Sequence, residues 1–125
     1  RPSNYGIGVE LDQYSKTSNL DSIVVLQIED REAIENLDEI LSVADVDVFF
    51  VGPSDLSQSL GHPGKANKPP VSTAITKIFR SIAEAGLTSG TASSEKQMEK
   101  AKKEGCCYLY THLNNVLKLG AENYL

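Results

Sequence analysis

Short apolar runs alternate with stretches of three- and four-residue periodicity four times between Ser22 and the C-terminus. That alternation marks successive βα units on a parallel sheet. The first run, Ser22 to Glu29 (S-I-V-V-L-Q-I-E), is almost continuously apolar, as a strand covered on both faces must be, and turns polar at its end. A helix is predicted from about Arg31 to Leu41, with Ile34, Leu37, Ile40 and Leu41 on one face. Val46 to Val51 is the second strand; Gly52-Pro53-Ser54-Asp55 breaks it, and Ser54 or Asp55 is suited to cap a short helix starting near Leu56. Gly61 to Pro70, with three of the five prolines, reads as a loop on the active side.

A long helix follows from about Val71 to Ala85, with Ile75, Ile78, Phe79 and Ile82 on one stripe and Gly86 at its C-terminal cap. Leu87 to Ala92 is a weak third strand, Glu95 to Lys103 a helix ended by Gly105, and Cys106 to Thr111 the fourth strand. A last helical stretch starts near Leu113. Residues 1–21 show no convincing period and read as a lead-in loop with one turn of helix near Tyr14.

Four βα units in about 100 residues are half of a (β/α)8 TIM barrel, whose full length is typically about 250 residues. The fold class is therefore α/β, with residues 1–125 as one partial barrel and its βα units in residues 22–125. Four parallel strands can also close as a flavodoxin-like sandwich, but no phosphate-binding G-x-G-x-x-G or P-loop is present. A half-barrel leaves two open sheet edges, and Val24, Leu26, Val46, Val48 and Phe50 are expected to face layers that need covering.

The formal net charge of -5 and the scattered Lys and Arg give no basic footprint for nucleic acid. No apolar run approaches the roughly 18 residues of a membrane span. The opening R-P-S-N-Y-G is unlike a secretion signal. A soluble, cytoplasmic protein is expected, with no membrane partner. The adjacent Cys106 and Cys107 do not make a chelating pair and read as two small apolar residues of a buried strand.

Gln27 and Glu29 lie two apart at the C-terminal end of a strand, so both side chains point to one face, the inside of a closed barrel and its catalytic mouth. Asp55 follows the next strand, and the two carboxylates are expected to project into one pocket. Such a pair suits a hard divalent cation, Mg2+ or Mn2+. The bland alternative makes Glu29 a favourable helix-start carboxylate and Asp55 a cap. Burying Gln27 beside Glu29 in an apolar strand, however, costs several kcal/mol unless partners or a metal compensate.

V-L-Q-I-E (Val25 to Glu29), A-I-E-N-L-D-E-I (Ala33 to Ile40), V-D-V-F-F-V-G-P-S-D-L-S-Q-S-L-G (Val46 to Gly61) and A-G-L-T-S-G (Ala85 to Gly90) stand in this order. Over about Ser22 to Ala121 the chain resembles the HpcH/HpaI aldolases, which include 4-hydroxy-2-oxoheptanedioate and 2-dehydro-3-deoxyglucarate aldolases. The resemblance implies the C-terminal half of the barrel, with Glu29 and Asp55 as metal ligands and Gln27 lining the catalytic site. It also implies that the backbone around Gly52, Pro53 and Ser54 cradles the carboxylate of a pyruvate unit.

The implied reaction is metal-dependent cleavage of a 4-hydroxy-2-oxo acid to pyruvate and an aldehyde, in a homo-oligomer or with a completing half-barrel. The family's catalytic arginine and histidine relay belong to earlier strands, with no counterpart here, so activity of this chain alone is not expected. His62 and His112 sit on no catalytic-histidine motif, and His62 is the one expected nearer substrate. Asn114 stands where family members often have Asp. The alternatives are a non-catalytic half-barrel used for binding or assembly, and a citrate-lyase-like or malyl-CoA-type carbon–carbon lyase.

Overall fold

The computed structural model describes residues 7–8 and 10–124. Its elements are α1 (Leu11–Asp21), β1 (Val25–Ile28), α2 (Arg31–Glu35), α3 (Leu37–Leu41), β2 (Val48–Val51), α4 (Pro53–Ser59), α5 (Val71–Glu84), β3 (Ser89–Ala92), α6 (Glu95–Lys103), β4 (Tyr108–Tyr110) and α7 (Leu113–Tyr124). The four strands pair in parallel in the order β1-β2-β3-β4. A doubly wound sandwich needs a reversal of strand order at its switch point. The described strands contain none, so successive crossovers run one way round, as in a (β/α)8 barrel.

Alternation along the strands divides the sheet into two unlike faces. Ile28, Phe49, Val51, Ser89 and Thr91 point to the helical side and are buried, the first three fully. With Leu56, Ile78, Phe79 and Ile82 they build the core, against which Leu26, Ile34, Leu37, Ile40 and Val46 pack. The α5 stripe is confirmed: Val71, Ile78, Phe79 and Ile82 are its buried residues. The other face carries Val25 and Gln27 from β1, Phe50 and the buried Val48 from β2, Gly90 and Ala92 from β3, and Tyr108 and Tyr110 from β4. On it Val25, Tyr108 and Tyr110 are 39%, 38% and 47% exposed.

Phe50, Gly90 and Tyr108 are partners across three strands. A Cβ on Gly90 would come within 3.0 Å of the Tyr108 ring and of Val48 Cγ1. The missing side chain lets the Phe50 and Tyr108 rings meet edge to face, with centroids 6.2 Å apart.

Several expectations need correction. The lead-in loop contains an eleven-residue helix, α1, that buries none of its residues; without an apolar stripe it has no period to read. Residues 1–6 and 9 lie outside the described residues. The helix expected over Arg31 to Leu41 is interrupted at Asn36, whose backbone leaves the helical region (φ -105°, ψ 21°) while its side-chain amide donates to Glu32 O. The strands are shorter than their apolar runs. Asp47 accepts the Val24 N–H at 2.7 Å with its side chain, and that bond serves Val24 before strand pairing begins.

Of the five residues expected to need covering, Leu26 and Val46 pack on the helical core, Val48 is buried, and Phe50 is half-buried on the open face. Val24 is 51% exposed. Cys106 and Cys107 precede β4, and only Cys106 is buried. Burial pushes the Cys106 thiol pKa up, a shift opposed by its bonds to Ser89 and to Tyr108 O.

Candidate active site at the strand ends

Parallel strands deliver their C-terminal ends to one rim, and in this chain the polar end of β1 and the first turn of α4 lie there. Gln27 is exposed on the open face. Glu29, one residue beyond β1, is half-buried, and its carboxylate accepts a hydrogen bond from the Gln27 side-chain amide. The predicted same-face pair is therefore present. On β2 the next residue is Gly52, packed against that pair. A Cβ there would lie 3.1 Å from Gln27 Nε2, 3.1 Å from Glu29 Cβ and 3.3 Å from Glu29 Oε2. Only the missing side chain lets the rim close around this pair.

α4 begins at Pro53, three residues earlier than predicted, with Gly52 at the N-cap and no side-chain cap. Ser54 and Asp55 are therefore in the first turn and do not cap it. The position of Asp55 suits a capping box, in which its carboxylate would reach back to the Gly52 N–H. That N–H already donates to Ile28 O at 3.0 Å. At the other strand end the cap of α2 is Asp30, whose carboxylate accepts the Ala33 N–H at 2.7 Å. Neither Glu29 nor Asp55 has the capping duty that a purely structural role would give it.

Of the three residues expected to cradle a carboxylate, Gly52 has its N–H engaged and Pro53 has none. The N–H groups without an intrahelical partner in this first turn are those of Ser54 and Asp55. The cradle thus narrows to one peptide-length of backbone, walled by Gly52 and Pro53.

Gln27, Gly52, Pro53, Ser54 and Asp55 line a cavity of about 490 Å3 on the open face, together with Val25, Phe50, Ala92, Tyr108, Tyr110 and His112. Glu29 is not among its lining residues and meets it across Gln27 and Gly52. His112, and not His62, borders this cavity, which reverses the expectation for the two histidines. His62 lies past α4, its N–H donating to Ser57 O at 2.7 Å. Asn114 is exposed in the first turn of α7.

Tyr110 and His112, which the sequence reading did not select as site residues, are in ring contact with centroids 5.1 Å apart. Their spacing of two at the end of a strand is the same signal that picked out Gln27 and Glu29.

Among the described residues no group of three or more His, Cys, Asp or Glu side chains comes together. The donor set at the rim is two carboxylates and an amide. Such hard oxygen donors fit Mg2+ or Mn2+ with positions left for water and substrate oxygens, and they do not fit an enclosed all-protein cage.

The fold and site define a parallel βα barrel unit with its acidic rim at the C-terminal ends of the strands. Residues 2–108 match the family model described as HpcH/HpaI aldolase/citrate lyase, and the chain belongs to that family. It is 35% identical over 108 residues to a 2-keto-3-deoxy-L-rhamnonate aldolase of Klebsiella pneumoniae, covering 86% of this chain and 40% of that protein. To a 4-hydroxy-2-oxo-heptane-1,7-dioate aldolase of the same species it is 40% identical over 87 residues, covering 70% and 33%.

A crystal structure of an HpcH/HpaI aldolase/citrate lyase family protein from Burkholderia cenocepacia superposes with a TM-score of 0.83 at 26% identity, covering 95% of this chain and 47% of that one. The chain thus spans less than half the length of these relatives, and its four βα units correspond to half of their TIM-barrel-type fold. Among the described residues no helix is long and apolar enough to cross a membrane.

Proposed function

We propose that the chain carries the metal- and pyruvate-binding side of an aldolase that cleaves a 4-hydroxy-2-oxo acid to pyruvate and an aldehyde. The observation that carries this reading is the Gln27–Glu29 pair packed against Gly52, with Asp55 lining the same cavity as Gln27 and neither carboxylate used as a helix cap. The relatives named above are aldolases by name, which supports the same reaction type.

In this reading Glu29 and Asp55 hold Mg2+ or Mn2+, and the Gln27 amide orients one Glu29 oxygen, leaving its other lone pairs for the cation. The substrate's carboxylate lies against the first turn of α4, where the Ser54 and Asp55 N–H groups face it. When bound, the cation supplies a Lewis acid at the keto oxygen, where negative charge develops as the carbon–carbon bond breaks.

Cleavage requires the open sheet face to be covered, because fixed donors outcompete water only where water is excluded. In this reading the covering layer is four further βα units, which would bring the arginine and histidine relay that the family resemblance implies. A coenzyme A thioester lyase is the second reading, since the matched family description includes citrate lyases.

Titration with pyruvate, followed by calorimetry, tests the proposal. Binding should appear with Mg2+ or Mn2+ and vanish with a chelator, whereas metal-independent binding would refute the assignment.

A further inference from the structure

We propose that Tyr110 and His112 form the aldehyde-side wall of this site and select substrates whose aldehyde half ends in an oxygen-bearing tail. The inference rests on the placement of the pyruvate unit at Gln27, Glu29 and Asp55. Tyr110 is the last residue of β4, in register with Ala92, and shares the open face with Gln27. It borders the same cavity of about 490 Å3 as Gln27, Ser54 and Asp55, and so does His112.

Distance decides which part of a substrate they meet. β4 lies two strands from β2, so its backbone is about 10 Å from the strand that leads into Asp55, at about 4.8 Å per inter-strand step. A group anchored there enters the cavity from the side away from the carboxylates. It is within reach of the far end of a chain of six or seven carbons. Ala92, between the two strands, carries only a methyl group and leaves that path open. Below it the Phe50 and Tyr108 rings form an apolar floor for methylene groups.

Tyr110 Oη and His112 Nδ1 lie 3.2 Å apart, with the rings inclined at 75°. Either sharing of the hydrogen leaves a donor for a ligand. If the phenol donates to Nδ1, the ring proton is on Nε2. If Nδ1–H donates, the phenol hydrogen is released to point elsewhere. The pair therefore always offers an N–H or O–H, and its complement is an acceptor oxygen, carboxylate or hydroxyl. An alkyl tail would displace water from that donor without replacing its hydrogen bond, the situation that gives polar pockets their discrimination.

The test compares two six-carbon acids of equal length, 2-oxoadipate and 2-oxohexanoate, with pyruvate as reference, by calorimetry on the Mg2+-loaded full chain. The wild-type protein should bind 2-oxoadipate about tenfold tighter than 2-oxohexanoate. Tyr110→Phe and His112→Phe should each bring that ratio close to one. A role confined to packing would weaken both acids together and keep the ratio. Equal affinities in the wild type, or a ratio that survives both substitutions, would overturn the proposal. Pyruvate binding that ignores Mg2+ and Glu29→Gln would overturn the metal reading instead, with the tail ratio still deciding on Tyr110 and His112. No binding of any of the three acids would overturn both.

Discussion

Gly52 stands so close to Glu29 that a Cβ on it would lie 3.1 Å from the glutamate Cβ. The backbone of Gly52 is extended, with φ -91°, so a side chain would be crowded by its neighbours and not strained in conformation. Gly52→Ala should cost about 1–3 kcal/mol, the usual range for overpacking. It should also displace the Gln27–Glu29 pair and weaken Mn2+ binding at least tenfold. Chemical denaturation and Mn2+ titration of the same variant would check both, and unaltered metal affinity would show that the close approach has no bearing on the site.

Ser54 is expected to act through its main chain. Ser54→Ala keeps the N–H and should change pyruvate affinity by less than about threefold. Ser54→Pro keeps helical φ in a first turn that tolerates proline but removes the donor, and should lower affinity at least tenfold. Equal losses in the two variants would point to the hydroxyl.

The two cysteines should differ in reactivity and in their effect on stability. Cys107 is exposed and should alkylate readily; Cys106 is buried, with its pKa raised chiefly by that burial, and should react slowly until the chain opens. A raised folded-state pKa means that the folded chain holds this proton after the unfolded chain has released it. Stability should fall as pH rises through the ordinary thiol range toward the raised value. Cys106→Ala should lack that part of the decline, measured by urea midpoints from pH 8 upward.

The open face makes a prediction about the chain by itself. Among the described residues β1 and β4 are the sheet edges, each paired on one side only, and Val25, Tyr108 and Tyr110 are partly exposed between them. The purified 125-residue chain should self-associate and release no pyruvate from a 4-hydroxy-2-oxo acid, even with Mg2+. Sedimentation and a pyruvate-release assay would test this; a stable monomer with metal-dependent turnover would contradict it.

What was legible in the sequence was whatever repeats. The βα alternation, the α5 stripe and the Gln27–Glu29 spacing each follow a period of 2 or 3.6, and each appears in the fold. α1 has no buried face and so no period to read, and the start of α4 is obscured because Ser54 and Asp55 compete as caps with Pro53, whose place at the first helical position is the signal that counts. The site was half legible for a related reason. The ends of β1 and β2 carry carboxylates, which announce themselves, whereas Tyr110 and His112 gain meaning only when strand register brings them to the same cavity as Asp55. That Gly52 offers no free N–H is likewise invisible until the Ile28 carbonyl is seen to accept it.

The most direct test of the account is Mn2+ binding by the wild-type chain, Glu29→Gln and Asp55→Asn, followed by electron paramagnetic resonance of the free ion. Each substitution keeps the side chain's size and removes one charged ligand. Both should weaken binding at least tenfold, about 1.4 kcal/mol, and the double variant should bind no more tightly than the weaker single one. Wild-type affinity in either single variant would contradict the claim that the two strand ends share one cation.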